Sequence, residues 1–390
     1  MTGTWTPTRL GDVVRVKHGF AFSGMAENPD RTLPVVVGIG NFDYTGGFRF
    51  GSTSVKRYVG EYPPEFNLSP GDVLLAMTCQ TAGGEILGIP GIVPDDGQTY
   101  LHNQRLGKVE VLDPERVYLP FVFQLARWNV FNQYLFATAS GSKILHTSPG
   151  RIEDFRFDIP PLEEQRAIAA TLGALDDKIE SNRRAVTIAE QLGDALFAAA
   201  ASESRLLSDV ADITMGSSPR GADLNEDGDG LPFYQGTRDF GVRFPSLRVW
   251  TTAPVRTAAK NDTLMSVRAP VGELNRASAD CCIGRGVAAI HSDTHPSTLY
   301  YAMRSSSSAW DKFQGEGTVF ASVNKTDVHG AEIRWVGDGA LLELEDKLRV
   351  IDARIESLES ETQRLTALRD ALLPELLAGR VRVPAEGVAA

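Results

Sequence analysis

The chain has 390 residues, 42% apolar and 23% charged, with a formal charge of −11 and three cysteines. That length exceeds what one hydrophobic core usually spans, so two or more domains are expected, and the apolar content excludes wholesale disorder. No run approaches the roughly 20 apolar residues of a membrane span. The first residues, Met1-Thr-Gly-Thr-Trp-Thr-Pro, show no apolar stretch behind a basic start. Cys79, Cys281 and Cys282 offer neither a disulfide framework nor zinc-ligand spacing. A cytoplasmic protein without a membrane partner is the expectation. An acidic chain also looks a poor match for phosphate, which is held by Lys and Arg.

Residues 1–160 are rich in Gly and Pro and carry short apolar runs: Leu33-Pro-Val-Val-Val, Asp72-Val-Leu-Leu-Ala-Met and Val109-Glu-Val-Leu. Runs of this length bounded by turn residues predict strands. Phe121-Val-Phe-Gln-Leu-Ala-Arg-Trp predicts a short helix. Pro160-Pro161 then blocks helix upstream and suits a first helical turn, with Glu163 and Glu164 at the positive end of the dipole. Alternating threes and fours from Ile168 give Leu172, Leu175, Ile179, Asn182, Val186, Ala189, Gly193 and Leu196. Residues 161–200 therefore read as one long helix. Residues 201–337 return to the mixed pattern, with Asp262-Thr-Leu-Met-Ser-Val as a strand and Ser297-Thr-Leu-Tyr-Tyr-Ala-Met-Arg as a helix. The same count from Leu341 gives Leu344, Leu348, Ile351, Ile355, Leu358, Thr362, Leu365, Arg369 and Leu372. Residues 338–380 form a second long helix, with Asp338 as its cap and Gly379 at its end, before a tail at 381–390. A 3.5-residue seam kept for over four heptads is the pattern of a coiled coil, and each helix runs about 55 Å at 1.5 Å per residue.

The two halves repeat each other. Leu10-Gly-Asp-Val returns as Leu207-Ser-Asp-Val with Gly19 matched by Gly216, an offset of 197. Leu33-Pro, Gly38 and Phe42 return as Leu231-Pro, Gly236 and Phe240 at 198, and Asp72 with Leu74 returns as Asp262 with Leu264 at 190. Arg105 pairs with Arg285 at 180 and Gly141 with Gly317 at 176, an offset held through Leu172/Leu348 and Leu196/Leu372. A tandem duplication whose second copy has lost loop residues predicts an α+β chain: two mostly-β domains and two long helices, paired antiparallel about a pseudo-two-fold axis.

Ile159-Pro-Pro-Leu-Glu-Glu-Gln-Arg-Ala-Ile-Ala leading into Leu175-Asp-Asp-Lys-Ile-Glu, and Leu368-Arg-Asp-Ala-Leu-Leu-Pro-Glu-Leu-Leu-Ala-Gly-Arg-Val, resemble the helix entry and exit of the specificity subunits of type I restriction–modification systems. Asp262-Thr-Leu-Met-Ser-Val-Arg-Ala-Pro-Val-Gly-Glu followed by Cys282-Ile-Gly-Arg-Gly is similar to that family's target-recognition domains. The resemblance runs from about Leu10 to Val383. The second helix departs from it, opening Gly339-Ala-Leu-Leu-Glu-Leu-Glu, and Met77-Thr-Cys-Gln stands where the second copy has Val267-Arg-Ala-Pro. The resemblance implies that each globular domain reads half of a split target in double-stranded DNA. The helices would set the spacer and dock N6-adenine methyltransferase subunits. No cofactor is expected on this subunit. S-adenosylmethionine, ATP and Mg belong to its partners, including a motor–nuclease subunit in phage defence. A methylation-only complex is the alternative within the family. A scaffold binding protein or carbohydrate is the alternative from another class.

Catalytic signatures are missing from the sequence. There is no phosphate-binding G-x-x-x-x-G-K-[ST] and no Asn/Asp-Pro-Pro-Tyr/Phe, to which Tyr62-Pro-Pro-Glu-Phe comes nearest. Glu345-Asp-Lys347 reads as a solvated helix face, and the six His are scattered. Base reading needs paired donors and acceptors on projecting loops. In the first domain these are Thr78, Gln80, Thr81, Asn103, Gln104, Arg105, Ser142, Lys143 and His146, with His102 beside them. In the second they are Gln235, Thr237, Arg238, Arg268, Arg285, Ser322, Asn324 and Lys325. Arg suits guanine and Asn or Gln suits adenine. Arg105 and Arg285 stand open between base reader, phosphate clamp and structural ion-pair partner.

Overall fold

The computed structural model describes residues 4–25, 28, 30–50, 55–313 and 322–383. Two compact units result, one from Met1–Asp177 with Leu365–Ala390 and one from Lys178–Arg364. This division cuts both long helices, because their antiparallel pairing puts the end of one beside the start of the other.

In the first unit, an antiparallel sheet has the order Val14–His18, Leu106–Val111, Val73–Ala76, Pro90–Ile92. A second sheet has the order Lys56–Arg57, Val35–Val37, Tyr100–His102, Asn67–Leu68, with its two middle strands parallel. The second unit repeats both. Its antiparallel sheet runs Asp212–Met215, Val287–His291, Thr263–Ser266, Leu274–Arg276. Its other sheet runs Trp250–Thr251, Leu231–Tyr234, Cys281–Ile283, Thr257–Ala258, again parallel in the middle, with Leu224–Asn225 added at the edge. Val35–Val37, Val73–Ala76 and Thr263–Ser266 are buried at every residue, which explains why these strands read as continuous rather than alternating runs. Thr6–Arg9 with Arg156–Ile159, and Ala201–Leu206 with Glu332–Val336, close the two domains in the same way. The short helices form at Leu119–Ala126 and Pro296–Ser305.

The central helix spans Leu162–Ala200 and the distal helix Asp338–Leu377. Within the first unit Ile168, Ala169 and Leu172 share a buried cluster with Leu373, Leu376 and Leu377. Within the second, Val186 packs on Ile355 and Leu358. Later positions on one helix thus meet earlier positions on the other, as antiparallel pairing requires. Every seam residue of the heptad count is buried or half-buried, whereas off-seam Ile188 is 64% exposed. Two polar seam positions are paired: Asn182 Nδ2 donates to Glu361 Oε2 at 2.9 Å, and Arg369 Nη1 to Asp176 Oδ1 at 3.0 Å. Such polar layers fix register.

Each globular domain is held to helix carboxylates of its own unit. In the first, Arg127 Nη1 donates to Asp176 Oδ2 at 2.6 Å. In the second, Arg243 and Arg276 both pair with Asp352, and the Arg243 guanidinium lies 3.4 Å from the Tyr300 ring centroid. Glu345 overturns the expectation of a solvated face. It is buried, and its carboxylate accepts the N–H groups of Ser297 and Thr298 at 3.1 and 2.8 Å, holding the start of helix Pro296–Ser305. Asp338 is not the cap expected of it. It lies in the first turn, and Gly337 supplies the first carbonyl, to Ala340 N. The distal helix ends at Gly379 with φ +66°, where Arg380 N and Val381 N return to the Glu375 carbonyl. Among the described residues no helix is long and apolar enough to cross a membrane.

Leu348 is fully buried in the second core, so Leu348→Ala is expected to cost about 2–5 kcal/mol in chemical unfolding, against less than about 0.5 for Ile188→Ala. Asp352→Ala strands two buried guanidinium groups and is expected to lower the unfolding free energy by about 3–5 kcal/mol in the same assay.

Candidate nucleic-acid interface

In the first unit three segments meet along one backbone edge. Met77 N donates to the Arg105 carbonyl and Thr147 N to the Met77 carbonyl, both at 2.9 Å. Thr78–Cys79 pairs with Leu145–His146, and Thr78 Oγ1 hydrogen-bonds His146 Nδ1 at 3.1 Å. Ser140 and His146 exchange backbone bonds of 2.9 and 2.8 Å, so the intervening loop projects with Ser142 and Lys143 exposed. Gly141 makes this turn at φ +104°, where a Cβ would lie 2.0 Å from the Ile144 carbonyl oxygen. Gln104 N bonds the Phe20 carbonyl at 2.9 Å and its own carbonyl receives His18 Nδ1 at 3.1 Å, leaving the Gln104 side chain exposed.

The second unit builds the same edge. Val267 N donates to the Gly286 carbonyl at 2.9 Å and Val323 N to the Val267 carbonyl at 3.1 Å, while Arg268 and Ser322 form a backbone bridge. Gly284 N bonds the Tyr234 carbonyl at 2.8 Å, which brings Gln235 beside Gly284-Arg285-Gly286. Asp239, buried and unforeseen from the sequence, holds this loop. It accepts Gln235 N at 2.8 Å and Arg248 Nη2 at 2.8 Å, presenting Thr237 and Arg238 on the turn between.

Several expected readers serve the scaffold instead. Thr78 is 3% exposed and orients His146. Asn103 is 4% exposed, its Oδ1 accepting Arg105 N at 3.0 Å, so it builds the turn that presents its neighbours. The Thr81 hydroxyl is engaged by Glu85, and the Asn324 side chain caps Lys325–His329 by accepting Asp327 N at 3.0 Å. His102 is a core residue. Its Nε2 faces the Leu106 carbonyl at 2.9 Å, and burial pushes its pKa down to about 4. Gln80, Gln104, Arg105, Ser142, Lys143, His146, Gln235, Arg238, Arg268, Arg285, Ser322 and Lys325 are exposed, and Thr237 half so.

Arg105 and Arg285 are not counterparts. Leu106 opposes Ala76 as Val287 opposes Ser266, and Leu106 N bonds the Asn103 carbonyl as Val287 N bonds that of Gly284, both at 3.0 Å. The structural offset here is 181, so Arg285 matches Gln104 and Arg105 matches Gly286. Gly317, paired with Gly141 from the sequence, lies outside the described residues.

The exposed cations of both edges are unspent. Among the described residues, Arg105, Lys143, Arg238, Arg268, Arg285 and Lys325 have no carboxylate partner, unlike Arg127, Arg243, Arg276 and Arg304 behind them. Nor do the described residues gather a metal-binding cluster. Edges that combine free guanidinium, ammonium, amide and hydroxyl groups present hydrogen bonds outward without a protein partner among the described residues.

Residues 2–188 match the family described as the type I restriction modification DNA specificity domain. Nearly half of the chain is thus similar to the specificity domain of type I restriction–modification systems. A relative from Methanocaldococcus jannaschii, provisionally described as the type I restriction enzyme MjaX specificity subunit, is 27% identical over 280 residues, 65% of each chain. The type I restriction enzyme MjaVIII specificity subunit of the same organism is 28% identical over 184 residues, 46% of this chain. The aligned parts span only 65% and 41% of those relatives' own lengths. The S subunit of the type I restriction–modification system of M. genitalium shares the fold, with a TM-score of 0.64 at 15% identity and 96% of each chain covered. The matched family region holds the whole first edge, and the second edge is supplied by the internal copy.

Because His102 stays neutral in the fold, its contribution to stability is fully present above pH 6.5 and is lost as pH falls to about 4, where only the unfolded chain takes up the proton. His102→Asn is expected to remove a pH dependence on the order of 3 kcal/mol across that window, read as the difference from the parent in unfolding experiments at stepped pH.

Proposed function

We propose that this chain is the DNA-recognition subunit of a type I restriction–modification complex, in which each unit's edge reads one half of a split, asymmetric target in double-stranded DNA. The carrying observation is the repeated edge with its unspent cations and amides. Phosphate contacts position a protein on the duplex, and base-edge contacts specify the site. Side chains already spent on carboxylates do neither. Because the two edges carry different side chains on one backbone plan, the two half-sites differ in sequence.

The helix pair sets the spacing of the half-sites and offers its exposed faces to N6-adenine methyltransferase subunits. These supply S-adenosylmethionine. A motor–nuclease subunit working with ATP and Mg completes the restriction complex, and a complex without it only methylates. The recognition subunit performs no bond-breaking step itself.

Comparison of N6-methyladenine across the genome of a host with and without the gene, with the methyltransferase subunit expressed, tests this reading. Loss of one split motif is expected. If no split motif disappears, the reading fails. In the purified complex with its methyltransferase, the logarithm of DNA affinity is expected to fall linearly with the logarithm of salt concentration. A complex without salt-sensitive DNA affinity points instead to a scaffold for protein or carbohydrate.

A further inference from the structure

The internal copy sorts the edge residues without any outside comparison. Backbone register puts Gln104 and Arg285 at one position of the two units. Each follows the residue whose carbonyl receives Leu106 N or Val287 N, and each lies two residues past the end of the middle parallel pair, Val37 with His102 and Tyr234 with Ile283. Both peptide segments are pressed against a matched glycine. A Cβ on Gly19 would lie 2.2 Å from the Asn103 carbonyl oxygen, and one on Gly216 would lie 2.2 Å from that of Gly284. The backbone N–H is also tied in each copy, Gln104 to the Phe20 carbonyl and Arg285 to Ser218 Oγ at 3.3 Å. Two peptides are thus fixed in equivalent places, each projecting one exposed side chain with no partner of its own among the described residues.

The two side chains carry opposite hydrogen-bonding codes. A guanidinium offers two parallel donors, matching O6 and N7 of guanine. A carboxamide offers one donor and one acceptor, matching N6 and N7 of adenine. A phosphate clamp shared by both copies would keep a cation at this place, and Gln104 is neutral. Resting on the DNA-recognition reading above, we propose that Gln104 and Arg285 are paired specificity-determining residues, Gln104 selecting adenine in one half-site and Arg285 guanine at the corresponding step of the other. Exposed Arg268 stands where the first unit has buried Thr78, and exposed His146 where the second has Ser322, so these positions also differ between the copies.

The test uses the complex with its methyltransferase subunits, on duplexes carrying the parent motif and each single-base change in it. Arg285→Gln is expected to lower the preference for one guanine of one half-site by roughly 5- to 150-fold, with every other position unchanged. Gln104→Arg is expected to shift one position of the other half-site from adenine toward guanine. Both residues are exposed, so the fold is retained, and circular dichroism with complex assembly checks this. The inference is overturned if Arg285→Gln weakens all duplexes equally and reduces the salt slope by about one, the behaviour of a phosphate contact. It is overturned equally if either variant leaves the methylated motif unchanged or alters both halves at once. Failure of the broader reading is distinct: the parent complex then yields no split motif at all.

Discussion

Carboxylates carried on the long helices hold each globular domain to the helix segments of its own unit. Asp352 draws two arginines out of the second globular domain, Asp176 draws Arg127 from the first, and Glu345 holds the start of the short helix that backs the second core. Buried ion pairs of this kind add little net stability, because desolvation offsets most of the attraction. Their value is geometric. A guanidinium between a carboxylate and a tyrosine ring accepts few alternative positions, whereas an apolar patch can slide. The proposed reading of DNA needs that restriction, since side chains must meet base edges to within a fraction of an ångström. The antiparallel seam makes the clamps possible, with Asn182 against Glu361 and Arg369 against Asp176 fixing the register in which those carboxylates are presented.

Much of this architecture is legible in the sequence. The heptad count predicts every seam position, because a 3.5-residue period over ten or so layers has few competing explanations. The strands of both copies follow from short apolar runs between turn residues. The clamps are less legible. Glu345 looks like any solvated helix charge, and only its burial against Ser297 and Thr298 gives it away. One signal was present: Asp176 and Asp352 lie at the same offset of 176 that links the two helices, so a charge repeated at a seam-flanking position marks a shared structural duty.

At the edge itself, residue type pointed to exposed loops and also to atoms that the fold spends on itself. Asn103, Thr78 and Asn324 have the chemistry of readers but spend it on the backbone or on His146, because short polar side chains near turns bond locally before they reach outward. Longer side chains, such as those of Gln104 and Arg285, clear the backbone. The pairing of Arg105 with Arg285 shows a second limit. Matching identical letters across copies slips by one residue when a loop has shortened nearby, and only hydrogen-bond register restores the alignment.

Net charge takes on a different meaning once it is divided along the chain. Residues 1–160 and 201–337 each carry 14 basic and 16 acidic side chains, while 161–200 and 338–390 carry 4 against 7 and 7 against 11. More than half of the deficit lies on the helices and tail. The globular domains are nearly neutral, yet their edges keep free cations because many of their carboxylates are consumed elsewhere, as Asp72 is by Lys108 and Asp239 by Arg248. A weak overall field with a few unscreened donors favours discrimination over grip. Phosphate attraction raises affinity for all DNA alike, so a subunit that binds every duplex tightly gains nothing in selectivity. Under the DNA-recognition proposal an acidic chain is therefore consistent with the task when partner subunits bring additional phosphate contacts, and the neutral Gln104 standing where its copy has Arg285 is the same economy at the scale of one residue.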